Sequence, residues 1–501
     1  VNERASTIIV TGDCLDVLRT VPDASIDAVV TDPPYGLSKE PDALEVLRHW
    51  LAGDDYQHKG SGFMGKSWDS FVPGPSIWRE VLRVLKPGGH ACVFAGSRTV
   101  DLMGLALRIA GFEIRDQLQW LYGTGFPKSL DVSKAIDKQG SAIEHLEAVQ
   151  AHIIAWRDAR GLTNKDLNEA IGSSTSGSGM AAHWTRREGT QRQIPSKTQW
   201  EKLRDVLRWE PCGLDQMYAA IKDGADRPTV GQYRAACDPF GQNPDAAPGP
   251  STAPATDDAK RWGGWGTALK PAHEPIILAR KPLSGTVAGT VLEHGTGALN
   301  IDGCRIGTAG GRWPANVILD LAAGQLLDQQ SGERPGQQGR VSGGEPSQAS
   351  TGVVTGERGR VASKAPRGDT GGASRFFYTA KASRSEREAG LEHMRKASAG
   401  ELTGGRKEGS DGLKNPRAGA GRTSSGRANV HPTVKPINLM RWLVRLVAPP
   451  GGVVLDPFAG SGSTGCAAVQ EPTCGAFVGI ELSEEYAEIA RARIEHWRGT
   501  E

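Results

Sequence analysis

The chain has 501 residues, enough for about three domains, with 59 Lys and Arg against 57 Asp and Glu. A net charge of +2 announces no polyanionic partner, while 65 glycines, 30 prolines and 38% hydrophobic residues imply stretches outside any packed core. The seven cysteines are scattered without a Cys-x-x-Cys pair, no apolar run reaches 18 residues, and no basic-then-apolar leader opens the chain. A disulfide framework, a zinc ribbon and a membrane span are therefore not expected, and the expected location is the cytoplasm.

Three regimes follow one another. Residues 1–139 read as ordered α/β sequence, with short buried strands at 8–10 and 28–30. A helix end at 81–85, a Lys-Pro-Gly-Gly turn and a strand at 91–94 come next. Strands alternating with helices predict a parallel sheet covered on both faces. Residues 140–260 turn helical, then rich in Pro, Ala and Asp, and ordered sequence resumes over 261–330 with a strand at 275–279. Residues 331–428 read as a glycine-rich basic loop, a candidate target-recognition region, with an ordered island at Arg375, Phe376, Phe377 and Tyr378. Across 331–430 there are 18 Lys and Arg against 10 Asp and Glu, a net +8, in sequence too polar to offset its ordering entropy. Residues 429–501 restore order, with strands at 453–455 and 476–480 and helices starting at Ser463 and Ser483.

Two motifs carry chemistry. Asp32-Pro33-Pro34-Tyr35 follows a strand directly. The prolines remove two backbone donors and hold the chain extended, so the Asp32 carboxylate and the Pro33 carbonyl face outward as acceptors beside one aromatic ring. Such a set suits an amino group on a flat ring, although a plain turn at a strand end has the same spacing. The second motif runs Asp456-Pro457-Phe458-Ala459-Gly460-Ser461-Gly462, with Gly465 completing a Gly-x-Gly-x-x-Gly spacing. Glu481 ends the next strand, where an acid reaches ribose hydroxyls. Asp456 just ahead of the glycines disfavours a pyrophosphate and suits a cationic nucleoside ligand, which S-adenosylmethionine is.

Together these motifs resemble the DNA amino-methyltransferases of the beta group, the phage and restriction-modification type. The opening Gly12-Asp13-Cys14 and the segment His431-Pro432-Thr433-Val434-Lys435-Pro436 are similar to the same group. The resemblance implies a Rossmann-like, S-adenosylmethionine-dependent methyltransferase sheet, circularly permuted so that the catalytic motif precedes the cofactor loop. Asp32 and the Pro33 carbonyl would hold the target amine, Pro34 would complete the turn, and Tyr35 would stack on a base flipped out of duplex DNA. Asp13, His431, Thr433, Lys435, Asp456, Phe458, Gly460, Gly462 and Glu481 would form the cofactor site. No metal is implied. Asp at the first motif position resembles the N6-adenine enzymes. N4-cytosine methylation is the near alternative, and methylation of a protein glutamine, whose motif begins with Asn, a remoter one. A degenerate regulator and a dinucleotide oxidoreductase fit the residues less well.

Residues 141–208 resemble a repressor-type helix-turn-helix inserted into this frame. Thr163 and Asp166 read as a capping box, Gly161 and Gly172 as helix stops, and Trp184, Arg186 and Arg187 as DNA-contacting residues. A helical insertion without DNA contact has the same pattern. No role attaches to the segments 66–69 and 120–128. The recognition sequence, a restriction partner and the oligomeric state are not legible.

Overall fold

Six consecutive residues, Ile26–Thr31, are all buried, as expected of a strand sealed on both faces. In a computed structural model of the chain this strand lies inside a nine-stranded mixed sheet, between two others. The structure describes residues 5–37, 41–58, 67–125, 129–140, 143–172, 179–185, 195, 197–208, 229–233, 249–252, 254, 257–307, 311–336, 369–380, 385–398, 401 and 426–500. The described residues divide into two compact units, one of 1–124 with 272–501 and one of 125–271.

In the first unit the strands of the main sheet are β1 (Ser6–Thr11), β2 (Ile26–Thr31), β3 (Leu85–Phe94), β4 (Glu113–Leu121), β5 (His273–Arg280), β6 (Val317–Asp320), β7 (Tyr378–Ala380), β8 (Gly452–Asp456) and β9 (Cys474–Glu481). Their order is β1-β9-β8-β2-β3-β5-β4-β6-β7. The order around β8 and β2 brings together motifs far apart in the chain: Val454 pairs with Ala28 and Leu455 with Val29. The sheet reverses its winding there, where α/β folds bind ligands at the carboxyl ends of strands.

The expected all-parallel sheet needs one correction. β5 runs antiparallel to both β3 and β4. Leu121, the last residue of β4, pairs with His273, the first of β5, and the Tyr122 N–H donates to the Ala272 carbonyl at 2.9 Å. The second unit is thus inserted at the tip of a hairpin, and a hairpin makes its strands antiparallel.

Side chains alternate between the faces. Val29, Ala91, Val93 and Leu455 pack under α1 (Cys14–Thr20), α2 (Ala43–Ala52), α3 (Pro75–Val84) and α4 (Val100–Ala110), around Leu18, Trp50, Trp78 and Leu107. Ala28, Val30, Phe94 and Val454 face the other way. They meet Leu439, Met440 and Leu443 of α5 (Ile437–Val447) and Cys466 and Ala467 of α6 (Ser463–Gln470). Helix α7 (Glu484–Gly499) adds Ile494 to this cluster.

The glycine-rich region holds more structure than its composition suggests. The island at 375–378 becomes a 3-10 turn, Ala373–Phe376, leading into β7, which pairs with β6 in the main sheet. Leu391 and Ala428 are buried with Tyr486 and Ile489 of α7. Residues 337–368 and 402–425 lie outside the described set.

In the second unit, helices Ile143–Ala159, Asn164–Ala170, Gly179–Thr185 and Lys197–Leu207 enclose a core of Val149, Ile153, Leu167, Trp184, Trp200 and Leu203. Thr163 and Asp166 form the capping box, and Gly161 and Gly172 have φ of 64° and 74° at the helix ends. Trp184 is fully buried in this core, so the expectation that its ring meets DNA is corrected: with Ala181 and Met180 it forms the inward face of its helix. Arg186 and Arg187 lie outside the described residues. No described helix is long and apolar enough to cross a membrane.

Candidate active site

The carboxyl ends of β2 and β8 open into a cavity of about 470 Å³. Asp13, Asp32, Pro33, Pro34, Tyr35, His431, Thr433, Lys435, Asp456, Phe458, Gly460 and Glu481 all line it. Gly462 does not. It has φ of 78° at the start of α6, and a Cβ there would lie 2.9 Å from the Ala490 backbone of α7, so it serves close packing of the two helices.

The two motifs are bonded to each other. Thr31 donates its hydroxyl to Asp456 Oδ1 at 2.6 Å, and Thr464 donates to Asp456 Oδ2 at 2.6 Å. The Phe458 N–H adds a third bond to Oδ1 at 3.1 Å, closing the turn after β8. Burial pushes the Asp456 carboxyl up to about 6 despite these three donors. Glu481 accepts the N–H of Gly460 at 2.8 Å with one oxygen and that of Ser483 at 2.9 Å with the other, and burial raises its pKa as well. Gly460 has φ of 53°, and a Cβ at that position would stand 3.0 Å from His431 Nε2. Asp13 caps α1, accepting from the Leu15 N–H at 2.9 Å.

Around Asp32 the side chains form one polar cluster. Lys435 donates to Asp32 Oδ2 at 2.6 Å and lies 3.3 Å from Glu274 Oε2. The Tyr35 hydroxyl is 2.8 Å from Asp32 Oδ1 and 2.9 Å from Glu274 Oε2. Burial alone would lower the pKa of Lys435, but the two facing carboxylates outweigh it and hold the ammonium form above its ordinary range. Burial, with Asp32 and Glu274, drives the Tyr35 phenol well above its usual value. His431 stacks on Trp68 at 5.8 Å, meets the edge of Tyr486 at 4.7 Å, and turns Nδ1 to the Thr433 carbonyl. Burial lowers it to about 4, so its ring is neutral at physiological pH.

Three residues of this site escape sequence reasoning. Asp69 accepts the N–H groups of Tyr35 at 2.8 Å and Gly36 at 3.2 Å and so fixes the turn after the prolines. Glu274 enters from the start of β5. Arg493, fully buried, bonds Ser461 through its carbonyl and, at 3.0 Å, its hydroxyl, which braces the glycine turn. Asp69 falls in the segment 66–69, to which no role attached, and Glu274 is a lone acid just ahead of an apolar run. The fixed turn leaves acceptors at one end of the cavity, and the acids near Gly460 make the other end suited to hydroxyls and positive charge.

Comparison with known proteins agrees with this geometry. The family model N6_N4_Mtase, described as DNA methylase, matches residues 26–140 and 266–492. The type II methyltransferase M.HinfI of Haemophilus influenzae is 30% identical over 122 residues, 24% of this chain and 32% of that protein. M.ScaI of Streptomyces caespitosus is 40% identical over 78 residues, covering 16% and 25%. YubD of Escherichia coli (strain K12) is 44% identical over 64 residues, covering 13% and 27%. The chain thus matches about a quarter to a third of the length of these curated relatives. Among solved structures, the cytosine-N4-specific PvuII DNA methyltransferase aligns over 98% of this chain and 86% of its own at 12% identity and a TM-score of 0.37. The family match spans most of the chain, takes in both motifs and skips most of the second unit: the chain belongs to the N6_N4_Mtase family of DNA methylases.

Proposed function

We propose that the chain is a DNA methyltransferase that moves a methyl group from S-adenosylmethionine to the exocyclic amine of a base turned out of a duplex, N6 of adenine in particular. The observation that carries this reading is the Thr31–Asp456 bond, which joins residues 425 apart in the chain and opens both motifs into one cavity. The residues fit the cofactor. Glu481 and Asp13 line the cavity and would take the ribose hydroxyls and an adenine edge, Phe458 and Phe71 offer flat apolar walls, and His431 and Thr433 line it with the glycine turn. Two acids beside that turn suit a sulfonium and an ammonium, and would repel a pyrophosphate. When bound, S-adenosylmethionine supplies an activated methyl group on sulfur.

The chain's own residues do the rest. Turning a base out costs a few kcal/mol, and a stacking aromatic, here Tyr35, returns about 1–3 kcal/mol. Asp32 Oδ1 and the Pro33 carbonyl accept the two hydrogens of the amine, favouring pyramidal nitrogen and stabilising the positive charge that grows on it. Lys435, held as ammonium, fixes the other Asp32 oxygen and so the carboxylate plane. In-line displacement then needs positioning alone. Asp as the first motif residue supports adenine over cytosine.

The test is incubation of the protein with methyl-labelled S-adenosylmethionine and genomic duplex DNA, followed by mass spectrometry of the nucleosides. N6-methyladenine is the expected product. N4-methylcytosine alone would reverse the base assignment, and label in protein with none in DNA would overturn the function.

A further inference from the structure

Tyr35 has one hydroxyl hydrogen and two carboxylate oxygens within reach of it, Asp32 Oδ1 at 2.8 Å and Glu274 Oε2 at 2.9 Å. It can donate to one at a time. The other contact is then stable only when that carboxyl carries a proton of its own or a cation balances it. The amine proposed above must shed a proton as it is methylated, and Asp32, which would touch it, already holds Lys435 on its other oxygen. We propose, on the basis of that function, that Asp32, Tyr35 and Glu274 form a proton relay, with Glu274 as the terminal acceptor that delivers the amine's proton to solvent.

The steps balance. The N–C bond forms with the nitrogen lone pair as the donor C–S bond breaks, its electron pair staying on sulfur. As that bond forms, the nitrogen gives a proton to Asp32 Oδ1. Asp32 passes it to the Tyr35 oxygen as the Tyr35 hydroxyl hydrogen moves to Glu274 Oε2, and Glu274 releases it to water. Both hops span ordinary hydrogen-bond distances. Because the phenol resists ionisation, it accepts a proton as it gives one and never stands as phenolate.

The neighbouring groups leave this route open and close the others. Lys435 touches both carboxylates but stays an ammonium, with no lone pair to accept a proton. His431 faces Asp32 electrostatically, yet its Nδ1 is engaged by the Thr433 carbonyl. Asp456 is committed to Thr31, Thr464 and Phe458. Tyr122 lies near Glu274 and, as a phenol whose pKa is raised, offers no base. The Asp32 and Glu274 side chains are 19% and 24% exposed, and both line the cavity. A base seated on Asp32 would cover it, leaving Glu274, one hydroxyl further along, to meet water.

Glu274→Gln keeps the size and hydrogen-bonding reach of the side chain but cannot take a proton. In single turnovers on duplex DNA with the full chain, the rate of methyl transfer should fall about 100-fold. Binding of S-adenosylmethionine by calorimetry should stay within about twofold. Glu274→Ala should regain part of the lost rate as acetate buffer is raised, which a purely structural role would not allow. Tyr35→Phe, which keeps the ring, should lower the same rate about as much, and the double variant with Glu274→Gln no further. Wild-type turnover rates in Glu274→Gln, or losses that add in the double variant, would overturn the relay. A wild type that methylates no DNA would refute the function itself, whereas an active wild type with an unaffected Glu274→Gln refutes the relay alone.

Discussion

Asp456 is a carboxyl that the folded chain holds at a cost, and the cost can be removed. Burial lifts its pKa from 3.8 to about 6. The folded chain therefore binds this proton more tightly than the unfolded chain does. Linkage makes the group's contribution to stability greatest below 3.8 and makes it fall as pH rises through about 6. A difference of about 2 pH units corresponds to about 3 kcal/mol at pH 8. Asp456→Asn removes the charge and nearly preserves the bonds. The amide oxygen takes the two donors now on Oδ1, Thr31 and Phe458. The amide nitrogen faces Thr464, whose hydroxyl can turn its hydrogen to the Val30 carbonyl, 3.3 Å away, and accept in exchange. The free variant should thus be more stable than wild type at pH 8 by about 1–3 kcal/mol. The fall in wild-type stability between pH 4 and 7 should flatten, and S-adenosylmethionine should bind more weakly because an acidic group beside its cationic end is gone. Urea denaturation at pH 5 and pH 8, with calorimetry of cofactor binding, measures all three. A variant less stable than wild type at pH 8 that keeps the same pH slope would refute the argument that burial dominates this carboxyl.

Asp32→Ala should abolish methyl transfer while leaving cofactor affinity within a few fold, because Asp32 faces Tyr35 and Lys435 while Glu481 holds the glycine turn; calorimetry showing cofactor binding lost as completely as in Glu481→Ala would end that division. Gly462→Ala should destabilise the packing of α6 on α7 by about 1–3 kcal/mol, read by chemical denaturation, since its Cβ would meet the Ala490 backbone at 2.9 Å in a left-handed conformation. Trp184→Ala should cost about 3–5 kcal/mol in the second unit, as loss of its helical circular dichroism on mild heating, whereas Trp184→Phe should keep the unit folded.

What could be read from the sequence was what lies within a few residues of itself. Asp32, Pro33 and Tyr35 share one turn, and Asp456, Gly460 and Glu481 lie along one strand-turn-helix-strand unit, so their spacing encodes their placement. Glu274 is 239 residues from the tyrosine it touches, and Asp69 is 34 residues from the same residue. Nothing local marks either one, because the contact is made by the sheet order that sets β5 beside β3 and by the loop that precedes α3. Trp184 shows the opposite error. Its neighbours Arg186 and Arg187 drew it toward a DNA-facing reading, while the spacing of Met180, Ala181 and Trp184 by one and three already described an inward helix face. Strand direction was hidden for a different reason. A short apolar run reads the same whichever way the chain crosses the sheet, and β5 is antiparallel because a whole helical unit is carried at a hairpin tip. The same placement explains why the sheet tolerates the insertion. Leu121 pairs with His273 and Tyr122 bonds Ala272, so the hairpin is paired up to its tip whatever the chain does beyond it. Glu274, the next residue along β5, is thus placed in the cavity by the sheet rather than by the insertion.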